Sequence, residues 1–102
     1  MTATHKNFLK TTISAVASAG LGALTISTAS SGYRTFGSGD DGKTFDGVTI
    51  KEGTAWEVCD GCVYTHSGTS LSRGTRQDSS SGSAIAFTSA AVVEQSGAAG
   101  FA

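Results

Sequence analysis

The sequence predicts an all-β fold, a small antiparallel β-sandwich or partly open barrel with extended N- and C-terminal arms. Short segments in which apolar and polar residues alternate recur along the chain, and Gly, Ser and Asp lie between them. More than half of the 102 residues are Gly, Ser, Thr or Ala, and no proline is present. A helical period appears only weakly, through residues 14–23, so helices are not expected.

Nine strands are expected, each bounded by turn residues. They are residues 9–14, 23–28, 32–36, 47–52, 55–59, 62–66, 69–73, 84–88 and 91–94. Polar loops are expected at residues 37–42 and 77–83. The alternation that should point every second side chain into the core is clearest at Leu24/Ile26, Val48/Ile50, Trp56/Val58 and Ile85/Phe87.

The chain is short enough to form one domain at most. We divide it into an N-terminal arm (residues 1–9), a β-domain (10–94) and a C-terminal tail (95–102). The content of large apolar residues is low, so the predicted core is thin and neighbouring subunits are expected to contribute stability. The expected core centres on Tyr33, Phe36, Ile50, Trp56, Val58, Leu71, Ile85 and Phe87.

The formal net charge is −1, and the seven Lys and Arg residues form no basic stripe. We therefore expect no nucleic acid among the partners. No apolar run approaches the roughly 20 residues that cross a bilayer, so no membrane partner is expected. Lys6 and Lys10, followed by residues 13–24, imitate a signal peptide, but the same residues fit two β-strands around a small-residue turn.

In this order the elements resemble a small domain that recurs in structural proteins of tailed bacteriophages and prophages. The shared pattern has a Thr-rich first strand, a Leu-Thr-Ile-like strand, a Gly-Tyr-x-x-Phe step, a Gly-Thr-x-Trp-Glu-Val hairpin and a Thr-x-Leu-Ser-Arg strand. A Ser-Ser-x-Gly loop and an apolar-x-Phe strand complete it. The corresponding segments here are residues 10–13, 23–26, 32–36, 53–58, 69–73, 80–82 and 85–87. The similarity covers roughly residues 10–93, and Cys59 and Cys62 stand where small uncharged residues are more usual.

The resemblance implies a virion component, assembled in the host cytoplasm, without enzymatic residues or a cofactor. We expect a capsid decoration or cement protein that binds the major capsid protein and self-associates, as a trimer or hexamer. The alternatives are a tail or tail-fibre adaptor subunit that binds tail proteins, and a surface module that binds a receptor or glycan. The sheet surface and the arms would form the interface, through Phe8, Leu9, Val92, Val93 and Phe101.

Residues 37–44 match the phosphate-binding pattern G-x-x-x-x-G-K-[ST] letter for letter. Such a loop needs a helix N-terminus, but a strand is expected after Thr44, and Asp40 and Asp41 would repel phosphate. We therefore interpret the segment as a polar hairpin loop. A calcium site formed by Asp40, Asp41 and Asp46 lacks the regular ligand spacing.

Asp60-Gly61 predicts a two-residue type I′ turn, so Cys59 and Cys62 should face each other across a β-hairpin. Zinc binding would need two further ligands, and the only candidates are His5 and His66. We expect free thiols, because a reducing compartment disfavours structural disulfides. The alternative is a secreted β-domain with a Cys59–Cys62 disulfide.

A hydrolase triad is not indicated, because no G-x-S-x-G turn joins a strand to a helix. Trp56 is expected in the core, and the alternative is a sugar-binding surface formed by Trp56, Tyr64 and residues 37–42. The remaining charged residues of the strands are interpreted as solvated or interface charges: Lys51, Glu52, Arg73 and Arg76.

Overall fold

The computed structural model describes Thr4, Lys6 and residues 8–95, and it confirms the all-β class. The nine strands are β1 (Lys10–Val16), β2 (Leu24–Ala29), β3 (Thr44–Phe45), β4 (Val48–Glu52), β5 (Ala55–Asp60), β6 (Cys62–Thr65), β7 (Ser70–Leu71), β8 (Thr75–Ser79) and β9 (Val92–Gln95). They form one curled antiparallel sheet, a half-barrel, in the order β3-β6-β7-β2-β1-β9-β4-β5-β8. Short 3-10 turns lie at Ser18–Gly20 and Ser38–Asp40.

The chain crosses three times between the two ends of this sheet. One end carries β3, β6 and β7, and the other carries β4, β5 and β8. The connections from β3 to β4, from β5 to β6 and from β7 to β8 therefore link the two ends of the sheet directly, through one to three residues each, whereas β4–β5 and β6–β7 are hairpins. The strands on either side of each of these three connections thus belong to opposite ends of the sheet.

These three connections meet in one place, which we call the crossover cluster (Asp46, Gly47, Asp60, Gly61 and Gly74). The Gly47 N–H donates to Asp60 Oδ1 at 2.8 Å, and the Gly61 N–H donates to Asp46 Oδ1 at 2.7 Å. Gly74 packs against this pair with a φ of +50°. A Cβ at position 74 would lie 2.1 Å from the Asp60 carbonyl oxygen, so a residue without a side chain is required there.

The core fills the inside of the curled sheet. Among the predicted core residues, Phe36, Ile50, Leu71 and Phe87 are buried. Phe36 stacks on Tyr64 with ring centroids 4.8 Å apart, and it meets Phe45 edge to face at 5.0 Å. The other buried apolar residues are Leu9, Ile13, Leu24, Ile26, Val48, Cys59, Cys62, Ala91 and Val93.

The predicted inward face of β5 is wrong. Glu57 and Cys59 point into the core, and Trp56 and Val58 lie half-buried on the outer face. The reason is that Glu57 has a buried partner, described below, so a carboxylate occupies a position that alternation reserves for an apolar side chain. Tyr33 is also outside the core, and Ile85 is only partly buried.

Several predicted elements also differ. Residues 32–36 and 84–88 form no strand, and β8 occupies part of a predicted loop. The segment 84–88 is held by other groups: the Ile85 N–H donates to Glu57, the Phe87 N–H to the Gly20 carbonyl and the Thr88 N–H to Glu52. The predicted β5–β6 hairpin is wrong as well, because β5 pairs with β4 and β8 whereas β6 pairs with β3 and β7.

The described residues of the N-terminal arm lie against the β-domain of the same chain. The Thr4 N–H donates to the Thr44 carbonyl at 2.6 Å, and Thr4 forms a bridge with β3. The Gln95 side chain accepts from the Lys6 N–H at 2.6 Å and donates to the Thr4 carbonyl at 3.1 Å. Gln95 thus extends β9 one residue past the predicted end of the domain, and the tail from residue 96 lies outside the described residues.

Candidate interaction surface

Phe8, Lys10, Tyr33 and Arg34 form the clearest candidate for a binding surface, and we call them the aromatic–cationic patch. The Phe8 and Tyr33 side chains are 70% and 46% exposed. Two backbone hydrogen bonds bring the two segments together, from the Arg34 N–H to the Phe8 carbonyl at 2.7 Å and from the Lys10 N–H to the Arg34 carbonyl at 3.0 Å. The Lys10 ammonium lies 5.2 Å from the centroid of the Tyr33 ring, a cation–π contact.

The backbone at Phe8 adopts a conformation that few non-glycine residues take. Its φ is +61°, in the left-handed region. The next residue, Leu9, is buried in the core, so the turn at Phe8 places one side chain inward and directs the preceding one to solvent. A left-handed non-glycine residue costs on the order of 1 kcal/mol, and the exposed Phe8 ring gains little from its own core.

A second accessible surface lies on the outer face of the central sheet. Val92, Lys51 and Trp56 occupy one row across β9, β4 and β5, because Lys51 pairs directly with both of the others. Val58 lies further along the same face of β5, and Lys51 makes a 3.9 Å ion pair with Glu94. We call these five residues the outer sheet band. Its apolar members are half-buried and have only part of their surface in contact with the chain.

The predicted interface residues separate into three groups. Phe8 and Val92 are accessible, at the aromatic–cationic patch and the outer sheet band. Leu9 and Val93 are core residues of this chain, so they are not free surface for a partner. Leu9 packs inward beside the turn at Phe8, and Val93 lies on the inner face of β9. Phe101 lies outside the described residues.

Sequence reasoning missed the part of the patch contributed by Tyr33 and Arg34. The sequence pattern places Tyr33 in an apparent strand with Phe36 and therefore predicts it in the core. A signal for the loop was present in the preceding Ser30-Ser31-Gly32, since such a cluster is typical of a turn. In the structure the Tyr33 N–H closes that turn by donating to the Ser30 carbonyl at 2.9 Å, and Gly32 has a φ of +80°.

A buried ion pair lies beneath the sheet surface. The Arg73 Nη2 atom lies 3.0 and 3.1 Å from the two carboxylate oxygens of Glu57. The guanidinium also donates to the carbonyl oxygens of Gly20 and Ile85, at 2.6 and 2.7 Å, and lies over the Phe87 ring at 5.2 Å. Arg73 is 9% exposed and Glu57 is 2% exposed. The interpretation of Arg73 as a solvated or interface charge is therefore wrong.

The Glu57 carboxylate has four donor contacts from three residues. Besides Arg73, the Ile85 N–H donates to Oε1 at 3.0 Å and the Cys59 thiol donates to Oε2 at 3.1 Å. Burial by itself raises the pKa of a carboxyl group, but the hydrogen bonds from Ile85, Cys59 and Arg73 outweigh it and lower the pKa of Glu57. Within the described part of the chain, every buried side-chain nitrogen or oxygen has a hydrogen-bond partner.

Cys59 and Cys62 are both buried, and their thiols are free. The neighbouring Cys62 thiol, burial and the Glu57 carboxylate together raise the pKa of the Cys59 thiol. The Cys59 sulfur is therefore protonated at neutral pH, and the folded chain holds it away from solvent reagents.

In the segment that matches the phosphate-binding pattern, hydrogen-bond donors are bound by a carboxylate of the segment itself. Asp40 accepts from the Gly37 N–H at 2.9 Å and from the Lys6 ammonium. Burial raises the pKa of Asp40, but Lys6 and the Gly37 N–H outweigh it, and the pKa is lowered. As expected, a strand and not a helix follows, at Thr44. Among the residues that the structure describes, no three His, Cys, Asp or Glu side chains are grouped to hold a metal ion.

The residues of the alternative sugar-binding surface do not form one exposed face. Tyr64 is fully buried, and its hydroxyl is hydrogen-bonded to His66 Nδ1 at 3.0 Å. Trp56 is half-buried on the outer face of β5. Because a sugar ring stacks on an exposed aromatic face, Tyr64 is not available for that contact.

Comparison with known proteins leaves the resemblance to phage virion domains as a prediction. No family model matches the sequence, no curated protein matches it, and no solved structure matches the fold. Over residues 8–95, Thr4 and Lys6, we find no helix with the length and apolar character of a membrane span.

Proposed function

We propose that this chain is a non-enzymatic structural component of a tailed-phage virion, a capsid decoration or cement protein that binds neighbouring coat subunits. The proposal rests on two supports, the sequence resemblance and the aromatic–cationic patch. The patch is the observation that carries it, because an exposed Phe and Tyr flanked by cations are typical of a protein-binding site. Coat subunits, with self-association, would be the partners.

The patch is suited to binding because it is already ordered. Its two segments are joined by backbone hydrogen bonds, and the buried Leu9 anchors one of them. Little conformational entropy would be lost when a partner covers Phe8 and Tyr33, and each aromatic side chain can bury roughly 150–250 Å². Lys10 and Arg34 would contact the polar rim of the partner's pocket.

The charged residues that might suggest catalysis are occupied with one another. Glu57 and Arg73 are buried, and their hydrogen-bonding capacity is used by the core itself. Such groups stabilise and orient strands, and they present no open face to a substrate. This arrangement supports a binding role over a catalytic one.

Add-back to particles tests the proposal. Particles would be prepared from a phage or prophage that lacks this gene, and the purified chain would be added and separated from unbound protein by sedimentation. We expect the chain to bind in a copy number comparable to that of the coat subunits. Binding in only a few copies, located at the tail by electron microscopy of labelled chain, would favour the tail-adaptor alternative. Failure to bind any particle component would contradict the proposal.

Two matched variants localise the contact. Phe8→Ser removes the exposed ring of the patch and should abolish or strongly weaken binding to particles. Leu21→Ser removes another exposed apolar side chain, 52% exposed and located in the β1–β2 connection, and should bind as the unmodified chain does. Equal binding by both variants would show that the patch is not the contact surface.

A further inference from the structure

The Asp-Gly pairs of the crossover cluster carry a chemistry that the proposed function does not use. An aspartate followed by glycine isomerises when the glycine backbone nitrogen attacks the side-chain carboxyl carbon, and glycine favours this step because it has no side chain to obstruct the approach. The chain contains three such pairs, at residues 41–42, 46–47 and 60–61. Their reactivity depends on whether the fold leaves the glycine nitrogen and the carboxyl group free.

In the crossover cluster, each pair binds the reactive groups of the other. The Gly47 N–H donates to Asp60 Oδ1 at 2.8 Å, and the Gly61 N–H donates to Asp46 Oδ1 at 2.7 Å. The nitrogen that would attack in one pair is thus bound by the carboxylate of the other pair. Asp46 and Gly61 are exposed, so water reaches the cluster although the reacting groups are held apart.

The pair at residues 41–42 is held by different groups. The Gly42 N–H donates to the Tyr64 carbonyl at 2.7 Å, and Asp41 Oδ1 accepts from the His66 N–H at 2.9 Å. These contacts involve no member of the crossover cluster. Asp41 therefore provides an internal reference for any change that acts on the cluster alone.

From this arrangement we propose that Asp46 and Asp60 are coupled sites of aspartate isomerisation, so that release of one pair exposes the other. The glycine nitrogen forms a bond to the carboxyl carbon, the amide proton and the carboxyl hydroxyl leave as water, and a succinimide ring results. Water then opens the ring at either carbonyl, which gives aspartate or isoaspartate. One water molecule is lost and one is gained, so both products have the composition of the starting chain.

The coupling follows from the change in connectivity. Isoaspartate carries its side-chain methylene in the main chain, so its carboxylate leaves the end of the side chain. At Asp60 this change would withdraw the acceptor of the Gly47 N–H and shift the carbonyl oxygen against which Gly74 packs. The Gly47 nitrogen would then be free to attack Asp46. The first isomerisation is slow because it requires the cluster to open, and the second follows more readily.

Incubation of the full-length purified chain in water labelled with heavy oxygen, at neutral pH, tests the sites. Each ring opening adds one labelled oxygen, so the label counts every passage through the succinimide. After return to ordinary water, trypsin cuts after Lys43, Lys51 and Arg73 and places the three pairs on separate peptides for mass spectrometry. We expect slow labelling of Asp46 and Asp60 in the folded chain and much faster labelling of both in urea.

Two matched variants test the coupling. Asp60→Ala removes the acceptor of the Gly47 N–H, and Asp46→Ala removes the acceptor of the Gly61 N–H. In each variant, labelling of the remaining aspartate relative to Asp41 should rise about tenfold or more, the factor that corresponds to loss of a charge-assisted hydrogen bond. The ratio to Asp41 corrects for any general loss of stability, because unfolding of the whole chain accelerates every pair.

Two results would overturn the assignment. In the first, the folded unmodified chain labels Asp46 and Asp60 as fast as the chain in urea, so the reciprocal hydrogen bonds give no protection. In the second, the ratio to Asp41 is unchanged in either variant, so protection comes from the fold as a whole and the two sites are not coupled. Neither result bears on whether the chain binds virion subunits.

Discussion

The Arg73 guanidinium connects segments that the strand ladder leaves separate. It contacts Glu57 on β5, the Gly20 carbonyl in the β1–β2 connection and the Ile85 carbonyl in the segment before β9. These hydrogen bonds add to the apolar packing of the core and hold the three segments against one another. Removal of one member leaves a buried charge without its partner, which costs more than the intact pair contributes.

Arg73→Met should therefore destabilise the chain by about 3–5 kcal/mol in urea unfolding. The double variant Glu57→Leu/Arg73→Met should lose less than the sum of the two single changes, because it leaves no unpaired charge. Lys51→Met serves as the control, since its ion pair with Glu94 is exposed and should contribute less than about 1 kcal/mol. Additive effects at Glu57 and Arg73 would contradict the proposed coupling.

The buried carboxyl groups should also make stability depend on pH. Hydrogen bonds and neighbouring cations lower the pKa of Asp40 and Glu57 in the folded chain. Folding therefore gains stability above the ordinary carboxyl range, near pH 4, and this gain is lost as the pH falls through the lowered values. Urea midpoints measured between pH 7 and pH 2 should decline at the acid end for the unmodified chain. Asp40→Asn should flatten this decline, and an unchanged slope would contradict the role of Asp40.

At the scale of elements, the crossover cluster links connections that are distant in sequence. Asp46-Gly47 and Asp60-Gly61 bind each other reciprocally, and Gly74 fits against the second of them. The two ends of the curled sheet are thus joined at this point by side chain–backbone hydrogen bonds in place of a strand ladder. The two Asp-Gly pairs are common turn signals, but only the fold brings them together.

Two glycine substitutions separate backbone strain from steric overlap. Gly53 and Gly74 both have positive φ, but Gly53 has no atom near the position of a Cβ, whereas Gly74 would place one 2.1 Å from the Asp60 carbonyl oxygen. Gly53→Ala should cost about 1 kcal/mol, from strain alone. Gly74→Ala should cost about 3–5 kcal/mol, because the connection must also move. Equal urea midpoints for the two variants would contradict the close packing at Gly74.

Sequence patterns predicted the elements whose pairing is local or whose alternation is purely apolar. Leu24/Ile26 and Val48/Ile50 alternate as expected and point inward on β2 and β4. The same pattern predicted the wrong inward face for β5. Trp56 and Val58 are more hydrophobic than Glu57, and the alternation gives no sign that Glu57 has a buried partner, Arg73, 16 residues away. Hydrophobicity records the cost of burying a group but not the hydrogen bonds that offset it.

The type I′ signal at Asp60-Gly61 shows a different limit. The predicted turn does not form: Gly61 has a φ of +69°, but Asp60 is the last residue of β5 and lacks the positive φ that a type I′ turn requires at both central positions. The strands on either side belong to opposite ends of the sheet, and their pairing with partners elsewhere in the chain decides the backbone here. The accessible Phe8 of the candidate surface was predicted from sequence. Tyr33 and Arg34 were not, because their exposure follows from how two loops meet.

At the scale of the whole molecule, both edges of the sheet are protected against pairing with another chain. The edge strand β3 has two residues and is covered by Thr4, while β8 carries a register shift at Gln77 between charged Arg76 and Asp78. Bulges and charges are typical protection of an edge strand. Any association of the folded chain should therefore use side-chain surfaces, such as the aromatic–cationic patch, and not strand addition.

Deletion of residues 1–6 should test how far the N-terminal arm belongs to the domain. It removes the Thr4 bridge and the Lys6 contacts with Asp40 and Gln95, which leaves the β3 edge uncovered. We expect a loss of about 1–3 kcal/mol in urea unfolding, since partly buried polar groups lose their partners, and concentration-dependent association in sedimentation. Phe8→Ser, which leaves these contacts intact, is the control. A deletion variant as stable and monomeric as the control would contradict this role.

The pairing of β1 with β9 at the middle of the sheet has a consequence for synthesis. Residues 10–12 pair with residues 92–94 there. During synthesis, β1 therefore lacks one of its two neighbouring strands until β9 has also been made. Until then a nascent chain can form hairpins but cannot close its interior, and exposed apolar strands would need protection by chaperones. Chains stalled before residue 92 should accordingly remain sensitive to protease.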